Sequence, residues 1–140
     1  MSQTELYPEL RAALRDLCAR FPADYWRDLD QRRAYPEAFV AALTAAGYLG
    51  ALIPREYGGL GMSLSEASVI VEEINRSGGN AGPYHAQMYT MGTILRHGSY
   101  AQKQTYLPAI ARGELRLQAF GVTEPDAGTD TASITTTATR

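Results

Sequence analysis

The sequence predicts a mainly α fold: a five- to six-helix N-terminal bundle followed by the first strands of a truncated β domain. Apolar residues recur at helical spacing up to about residue 113, and two helix-start signatures of the capping-box type lie within that region. From Leu115 the pattern changes to that of a strand. We therefore expect a helical domain over residues 1–114 and the beginning of an incomplete β domain over residues 115–140.

The first two predicted helices end at residues that disfavour helix. The first ends at Pro22, and Gly47 is the expected C-cap of the second, which covers residues 36–46. Apolar side chains at helical spacing are expected to form the buried faces, namely Leu6, Leu10, Leu14, Leu17 and Phe21 in the first helix and Phe39, Val40 and Leu43 in the second.

Residues 48–62 are predicted to form a loop that leads into the third helix. Gly58, Gly59 and Gly61 fit neither the dinucleotide-binding nor the P-loop spacing, which favours a structural loop with positive φ angles over a phosphate site. A capping box, Ser63 with Glu66, predicts the start of the third helix. The expected buried face of this helix consists of Ala67, Ile70, Val71 and Ile74.

Two further helices and a terminal strand complete the predicted fold. The fourth helix covers about residues 81–97, and a second capping box, Ser99 with Gln102, begins a fifth that ends near Gly113. Residues 131–140 alternate threonine with alanine and isoleucine, which predicts the start of another strand. The expected inward side chains are Tyr84, Met88, Met91, Ile94 and Leu95 in the fourth helix and Tyr106, Leu107 and Ile110 in the fifth.

Composition argues against several classes of function. The net charge is −2, which gives no electrostatic basis for binding nucleic acid or an anionic membrane, and no apolar run approaches the ~20 residues of a membrane span. The N-terminus has no apolar segment typical of a secretory signal, and the single cysteine, Cys18, is expected to be a small buried side chain; both fit a cytoplasmic location. His85 and His97 have no further ligands at metal-binding spacing, so no metal site is expected.

The segment most suited to ligand binding lies where the predicted strand stops. An apolar run over residues 117–123 meets proline, glycine and short polar residues over 124–130, an arrangement that presents backbone N–H groups and hydroxyls to a ligand. Glu124, Asp126 and Asp130 argue against a phosphate, because the loop contains no lysine or arginine. The alternative is a strand that ends in an Asx-type turn, with Asp126 and Asp130 capping their own backbone.

Three segments together resemble the acyl-CoA dehydrogenase family: YGGLGMSLSEA, YLPAIARGEL and AFGVTEPDAGTD. The third is similar to the family pattern aromatic-x-Val/Leu-Ser/Thr-Glu-Pro-x-Ala/Gly-Gly-Ser/Thr-Asp and matches it at every defined position over residues 120–130. The resemblance extends over essentially the whole chain. It covers only the N-terminal helical domain of that family and the beginning of its middle β domain.

The resemblance implies that the chain contributes to an FAD site. Phe120 and Val122 would line the isoalloxazine, and the Thr123 hydroxyl would hydrogen-bond its pyrimidine edge. Gly128 and Thr129 would approach the pyrophosphate, and Thr129 would also touch the pantetheine arm of the substrate. The family often has serine where this chain has Thr129, which keeps the hydroxyl, so binding is expected to survive.

The resemblance also implies substrate contacts on the fourth helix, which lines the acyl pocket in the family. Tyr84, His85 and Met88 are the candidates, and core packing is the alternative for each of them. No catalytic residue is expected within these residues. The family's base is a carboxylate of a C-terminal helical domain outside this sequence, so Glu124 is not expected to be the base.

The implied activity is that of an FAD-dependent oxidoreductase of fatty acid metabolism. It would be the α,β-dehydrogenation of an acyl-CoA thioester, with hydride transfer to flavin N5 and onward transfer to an electron-transfer flavoprotein or another acceptor. The complete protein would be a homodimer or homotetramer. Two alternatives stay open: a catalytically incompetent, truncated helical module, or a relative that uses the same fold for flavin oxidase or monooxygenase chemistry.

Overall fold

Six α-helices make up most of the chain in the computed structural model, which describes residues 6–119 and 121–139. They are α1 (Pro8–Ala19), α2 (Ala23–Arg32), α3 (Glu37–Ala45), α4 (Leu64–Arg76), α5 (Gly82–His97) and α6 (Tyr100–Ala111). Short 3₁₀ turns occur at Tyr48–Gly50, Arg55–Tyr57 and Thr131–Ser133. Within the described residues, no helix is long and apolar enough to cross a membrane. The predicted helical bundle is therefore confirmed.

One apolar core unites the helices. The fully buried side chains include Leu14 of α1, Phe39 of α3, Ile70 of α4, Tyr84 of α5 and Leu107 of α6. Burial of an aliphatic or aromatic side chain of this size stabilises a fold by about 2 kcal/mol. Helix α1 packs along α4, while α6 packs against α5 and against the two 3₁₀ turns between α3 and α4.

Both predicted capping boxes are present. At the start of α4, the Glu66 N–H donates to Ser63 Oγ at 3.3 Å, and the Ser63 N–H donates to the Glu66 carboxylate at 2.7 Å. At the start of α6, the Gln102 N–H donates to Ser99 Oγ at 3.2 Å, and the Ser99 N–H donates to Gln102 Oε1 at 2.8 Å. Each box satisfies two backbone donors that a helix start would otherwise leave unpaired.

Helix α2 was not predicted from the sequence. Leu29 is its one buried side chain, so the helix lacks the aliphatic stripe that the sequence analysis relied on. Aromatic edge-to-face contacts attach it to the core instead: Tyr25 lies 5.1 Å from Phe21 and Trp26 lies 4.9 Å from Phe39, measured between ring centroids. Such pairs prefer this geometry and add to the stabilisation that burial provides.

Two side chains predicted to be buried are exposed. Leu6 precedes α1 and is 69% exposed, because the helix begins only at Pro8. Tyr106 is 42% exposed, because it lies at the edge of the buried face of α6, about 100° around the helix from Leu107 and on the side of Ile110.

The loop between α3 and α4 is a packed part of the core. Gly58 and Gly61 have the predicted positive φ angles, 85° and 62°, and Gly47, the expected C-cap, has 78°. The prediction of a positive φ was wrong for Gly59, where glycine is required for space instead: a Cβ there would lie 2.2 Å from the Ile53 carbonyl oxygen. The glycines therefore allow the chain to turn tightly over Ile53, which is fully buried.

The predicted strands differ from what the structure shows. Among described residues 114–119 and 121–139 there is no strand ladder, only an isolated antiparallel bridge between Glu124 and Ala127. Residues 131–133 form a 3₁₀ turn rather than the start of a strand. Extended segments need partner strands for a stable sheet, and the described residues provide none.

Candidate functional site

The chain leaves the helical bundle along α5. The Gln118 side chain donates to the Pro83 carbonyl oxygen at 3.0 Å and accepts from the Tyr35 hydroxyl at 2.6 Å. One residue position earlier in the segment, Leu117 contacts the buried face of α5. These contacts fix the segment that precedes the candidate loop.

The candidate loop begins after Phe120, which lies outside the described residues. Val122 is half-buried, whereas Thr123, Gly128 and Thr129 are exposed. A Cβ built on Gly128 would meet nothing within 4 Å, so the backbone there is open to a ligand. The loop therefore presents two hydroxyls and an unobstructed stretch of backbone to solvent.

Two carboxylates of the loop accept hydrogen bonds from residues that follow it in the chain. Glu124 accepts from the N–H of Thr135 at 2.9 Å and from the N–H of Thr136 at 2.8 Å. Asp130 accepts from the Ala132 N–H at 3.2 Å and from the Ser133 hydroxyl at 2.5 Å. The self-capping turn considered in the sequence analysis is thus present at Asp130.

Hydrogen bonds stabilise the ionised form of the Glu124 side chain. Bonds from the Thr136 side chain and from the backbone N–H groups of Thr135 and Thr136 lower the pKa of Glu124 to about 2. A carboxylate with so low a pKa is a poor proton acceptor at neutral pH. The expectation that Glu124 is not the catalytic base stays a prediction.

The hydrogen bonds that Glu124 accepts from Thr135 and Thr136, here called the brace, should depend on pH. Because the pKa of Glu124 is lowered in the folded loop, the contribution of the brace to the stability of the loop is fully present above the ordinary carboxyl pKa of 4.5. That contribution is lost as pH falls towards about 2. We expect faster hydrogen exchange at the amides of Thr135 and Thr136 in Glu124→Gln, measured by NMR at neutral pH.

The control for this prediction is Asp126→Asn, which removes the same charge from an exposed position of the same loop. It should leave the exchange at Thr135 and Thr136 unchanged. Equal exchange rates in Glu124→Gln and the unsubstituted chain would contradict the brace.

The three candidate substrate residues of α5 lie in different environments. Tyr84 is fully buried in the core, and its hydroxyl donates to the Ala67 carbonyl oxygen at 3.4 Å; burial raises its pKa. His85 is exposed, with its ring 5.2 Å from that of Tyr89. Met88 lines a surface groove. Tyr84 and Met88, which is 9% exposed, both belong to the buried apolar core, as the core-packing alternative describes.

The groove beside Met88 lies between α5 and the start of α4. It has a volume of about 550 Å³ and is lined in part by Leu52, Leu64, Gly92 and Leu95. This volume is within the range of small-molecule sites, and the lining combines apolar side chains with polar and charged ones at the end of α5, among them Arg96 and His97. Leu64 and Leu52 were not identified from the sequence, because nothing in their spacing connects them to α5.

Two polar residues on the buried side of α5 were not predicted from the sequence. Gln87 is 1% exposed and Thr90 is 9% exposed. The signal was available in principle, since both interrupt a stripe formed by Tyr84, Met88 and Met91. A polar side chain in such a stripe needs a buried hydrogen-bond partner.

No cluster of metal-binding side chains occurs within residues 6–119 and 121–139. Cys18 is buried in the core, as predicted, and burial raises the pKa of its thiol. A raised pKa reduces the thiolate fraction and with it the nucleophilicity of the sulfur.

Comparison with known proteins identifies several relatives. The sequence model described as "Acyl-CoA dehydrogenase, N-terminal domain" matches residues 4–114. A probable acyl-CoA dehydrogenase, fadE25 of Mycobacterium leprae, is 38% identical over 136 residues, which are 96% of this chain and 34% of the relative. The chain thus spans about a third of the length of the curated relatives it matches.

Solved structures have the same fold. An acyl-CoA dehydrogenase from Geobacillus kaustophilus superposes with a TM-score of 0.79 at 30% identity, over 95% of this chain and 35% of the other. The ChsE4-ChsE5 complex from Mycobacterium tuberculosis gives 0.76 at 34% identity, over 100% and 36%. An acyl-CoA dehydrogenase from Bacillus anthracis, complexed with FAD, gives 0.69 at 27% identity, over 95% and 23%.

Proposed function

Since this chain belongs to the acyl-CoA dehydrogenase family, we propose that it forms one wall of an FAD site and part of the adjoining acyl-thioester pocket. The observation that carries the proposal is the loop of residues 121–129, whose sequence agrees with the family pattern and in which Thr123, Gly128 and Thr129 are exposed. The FAD-bound relative supports FAD as the cofactor.

The described loop suits a flavin nucleotide. The exposed hydroxyls of Thr123 and Thr129 provide donors for polar edges of a ligand, and the open backbone at Gly128 allows close approach of a phosphate. Glu124 and Asp130 are occupied by hydrogen bonds within the loop. Phosphate oxygens would therefore be met by neutral N–H and O–H donors rather than by cationic side chains.

Each residue has a distinct part in the proposal. Val122 would pack on the ring system together with Phe120, and Thr123 would hold the pyrimidine edge. Gly128 and Thr129 would contact the pyrophosphate, with Thr129 also near the pantetheine arm. When bound, FAD would supply the hydride acceptor for α,β-dehydrogenation of an acyl-CoA thioester. These residues provide binding and orientation, and none of them is proposed to move a proton.

The acyl group would lie along α5. Met88 and the groove beside it provide apolar surface, and His85 lies exposed on the same helix. In the complete protein the base, the electron acceptor (an electron-transfer flavoprotein or another) and the partner subunits of a homo-oligomer would come from outside these residues. A relative with flavin oxidase or monooxygenase chemistry, or a helical module without catalysis, is the alternative.

The test is FAD binding by the 140-residue chain, followed by the visible flavin absorbance retained after unbound FAD is removed. We expect retention by the unsubstituted chain. Thr123→Val and Thr129→Val should each weaken affinity by about three- to ten-fold, the size of one neutral hydrogen bond. Valine preserves the shape of threonine and removes only the hydroxyl.

Thr137→Val is the matched control, because Thr137 is exposed outside the proposed contacts. It should bind FAD as the unsubstituted chain does. A colourless chain at saturating FAD, or equal affinities in all three valine variants, would contradict the proposed site and favour the helical-module alternative.

A further inference from the structure

We propose that Gln87 and Thr90 of α5 are positioning residues that hold the backbone of Leu117 and thereby set where the 121–129 loop meets its ligand. The identity of that ligand rests on the proposed function. The holding contact itself rests on the structure alone and can be tested without FAD.

Both backbone groups of Leu117 are engaged by side chains of one helix. Its N–H donates to Gln87 Oε1 at 3.0 Å, and its carbonyl oxygen contacts the Thr90 hydroxyl. Gln87 and Thr90 are three residues apart and therefore lie on the same face of α5. They supply the acceptor and the donor that a neighbouring strand would supply in a sheet.

This contact determines where strand pairing can begin. Because Leu117 is capped by α5, it has no free backbone group with which to join a sheet. Any sheet formed with a longer chain would start after it, at Gln118 or beyond. The functional boundary between the helical and β domains would then lie after Leu117 rather than at residue 115.

Burial gives the contact its rigidity. Gln87 is 1% exposed, and its Nε2 has no hydrogen-bond partner among the described residues. An unpaired buried donor is unfavourable. The Gln87 amide is therefore stabilised in this position only through its oxygen, which accepts the hydrogen bond from the Leu117 N–H. Gln118 reinforces the attachment through the Pro83 carbonyl oxygen of the same helix.

The same helix also carries Met88, which lines the groove proposed for the acyl group. Gln87 and Met88 are adjacent in sequence, so a movement of the helix moves the acyl surface and the start of the loop together. The clamp formed by Gln87 and Thr90 thus fixes the loop relative to the acyl surface, which is the geometry that transfer between a thioester and a flavin requires.

The first readout is the hydrogen-exchange rate of the Leu117 amide, measured by NMR. Gln87→Met keeps the length of the side chain and removes the acceptor, and should accelerate exchange on the order of ten-fold, as expected for one lost buried hydrogen bond. Thr90→Val should accelerate it about three-fold or more, and Thr90→Ser should restore the original rate.

Thr93→Val is the matched control. Thr93 is an exposed threonine of α5 whose hydroxyl donates to the Tyr89 carbonyl oxygen within the helix. The Thr90 hydroxyl also lies 2.9 Å from the Ala86 carbonyl oxygen, so its one hydrogen is shared between Ala86 and Leu117. The Thr93→Val variant therefore loses an in-helix hydrogen bond of the same kind but no hydrogen bond to Leu117. The amide of Ile70 in α4 reports global stability, so acceleration confined to Leu117 identifies the clamp.

The second readout is FAD affinity, which should weaken in Gln87→Met and Thr90→Val and recover in Thr90→Ser. Unchanged exchange at Leu117 in Gln87→Met overturns the clamp. Faster exchange with unchanged FAD affinity overturns its positioning role. A chain with a well-protected Leu117 amide that binds no FAD instead overturns the proposed function.

Discussion

Gly59→Ala is expected to destabilise the helical domain by about 3 kcal/mol, the upper range for overpacking a core. The added Cβ would lie 2.2 Å from the carbonyl oxygen and 2.4 Å from the Cβ of Ile53, and 2.7 Å from the carbonyl oxygen of Gly50. These are backbone or backbone-proximal atoms, which no rotamer change can move away. The loop between α3 and α4 would have to shift, together with the core around Ile53.

Urea unfolding followed by circular dichroism measures this effect. Gly92→Ala is the control, because Gly92 lies in α5 with nothing within 4 Å of an added Cβ; it should be neutral or stabilise the domain by up to about 1 kcal/mol. Equal stability of Gly59→Ala and the unsubstituted chain would contradict the close packing of this loop.

Glu73→Ala is expected to cost about 3–5 kcal/mol, because it removes the buried partner of two arginines between α1 and α4. The Glu73 carboxylate accepts from Arg11 at 2.5 Å and from Arg15 at 3.0 Å, and its side chain is 1% exposed. Hydrogen bonds from Arg15 and then Arg11 lower its pKa. Without Glu73, the largely buried Arg11 guanidinium loses its buried counter-charge.

The neighbouring Glu72 provides a close control. It also pairs with Arg11, at 2.7 Å, but its side chain is 55% exposed, so Glu72→Ala should cost no more than about 1 kcal/mol. The double variant Arg11→Met, Glu73→Leu should recover much of the loss, since apolar side chains can replace a buried ion pair. A Glu73→Ala chain as stable as Glu72→Ala would contradict this account.

Elements that depend on local signals were predictable from the sequence. Ser63 and Ser99 begin helices through bonds to residues three positions later, and Gly47 and Gly58 have the positive φ angles expected at turns. Helix α2 was not predictable in this way. Its attachment depends on contacts of Tyr25 with Phe21 and of Trp26 with Phe39, rings outside the helix, which periodicity within the helix cannot reveal.

The same distinction between local signals and long-range contacts applies to the candidate site. The residues of the loop, Thr123 to Thr129, were identified because a continuous motif carries them. The bonds that shape the loop join distant positions: Glu124 to Thr135, and Gln87 to Leu117. A single sequence shows that Gln87 is polar in an apolar stripe, but not which backbone group it meets.

The central claim is that residues 121–129 bind FAD. Titration of the ¹⁵N-labelled 140-residue chain with FAD, followed by NMR, tests it most directly. The account predicts saturable shifts at the amides of Val122, Thr123, Gly128 and Thr129, with little change at α1 and α4. Shifts confined to other segments, or no shifts at saturating FAD, would contradict it.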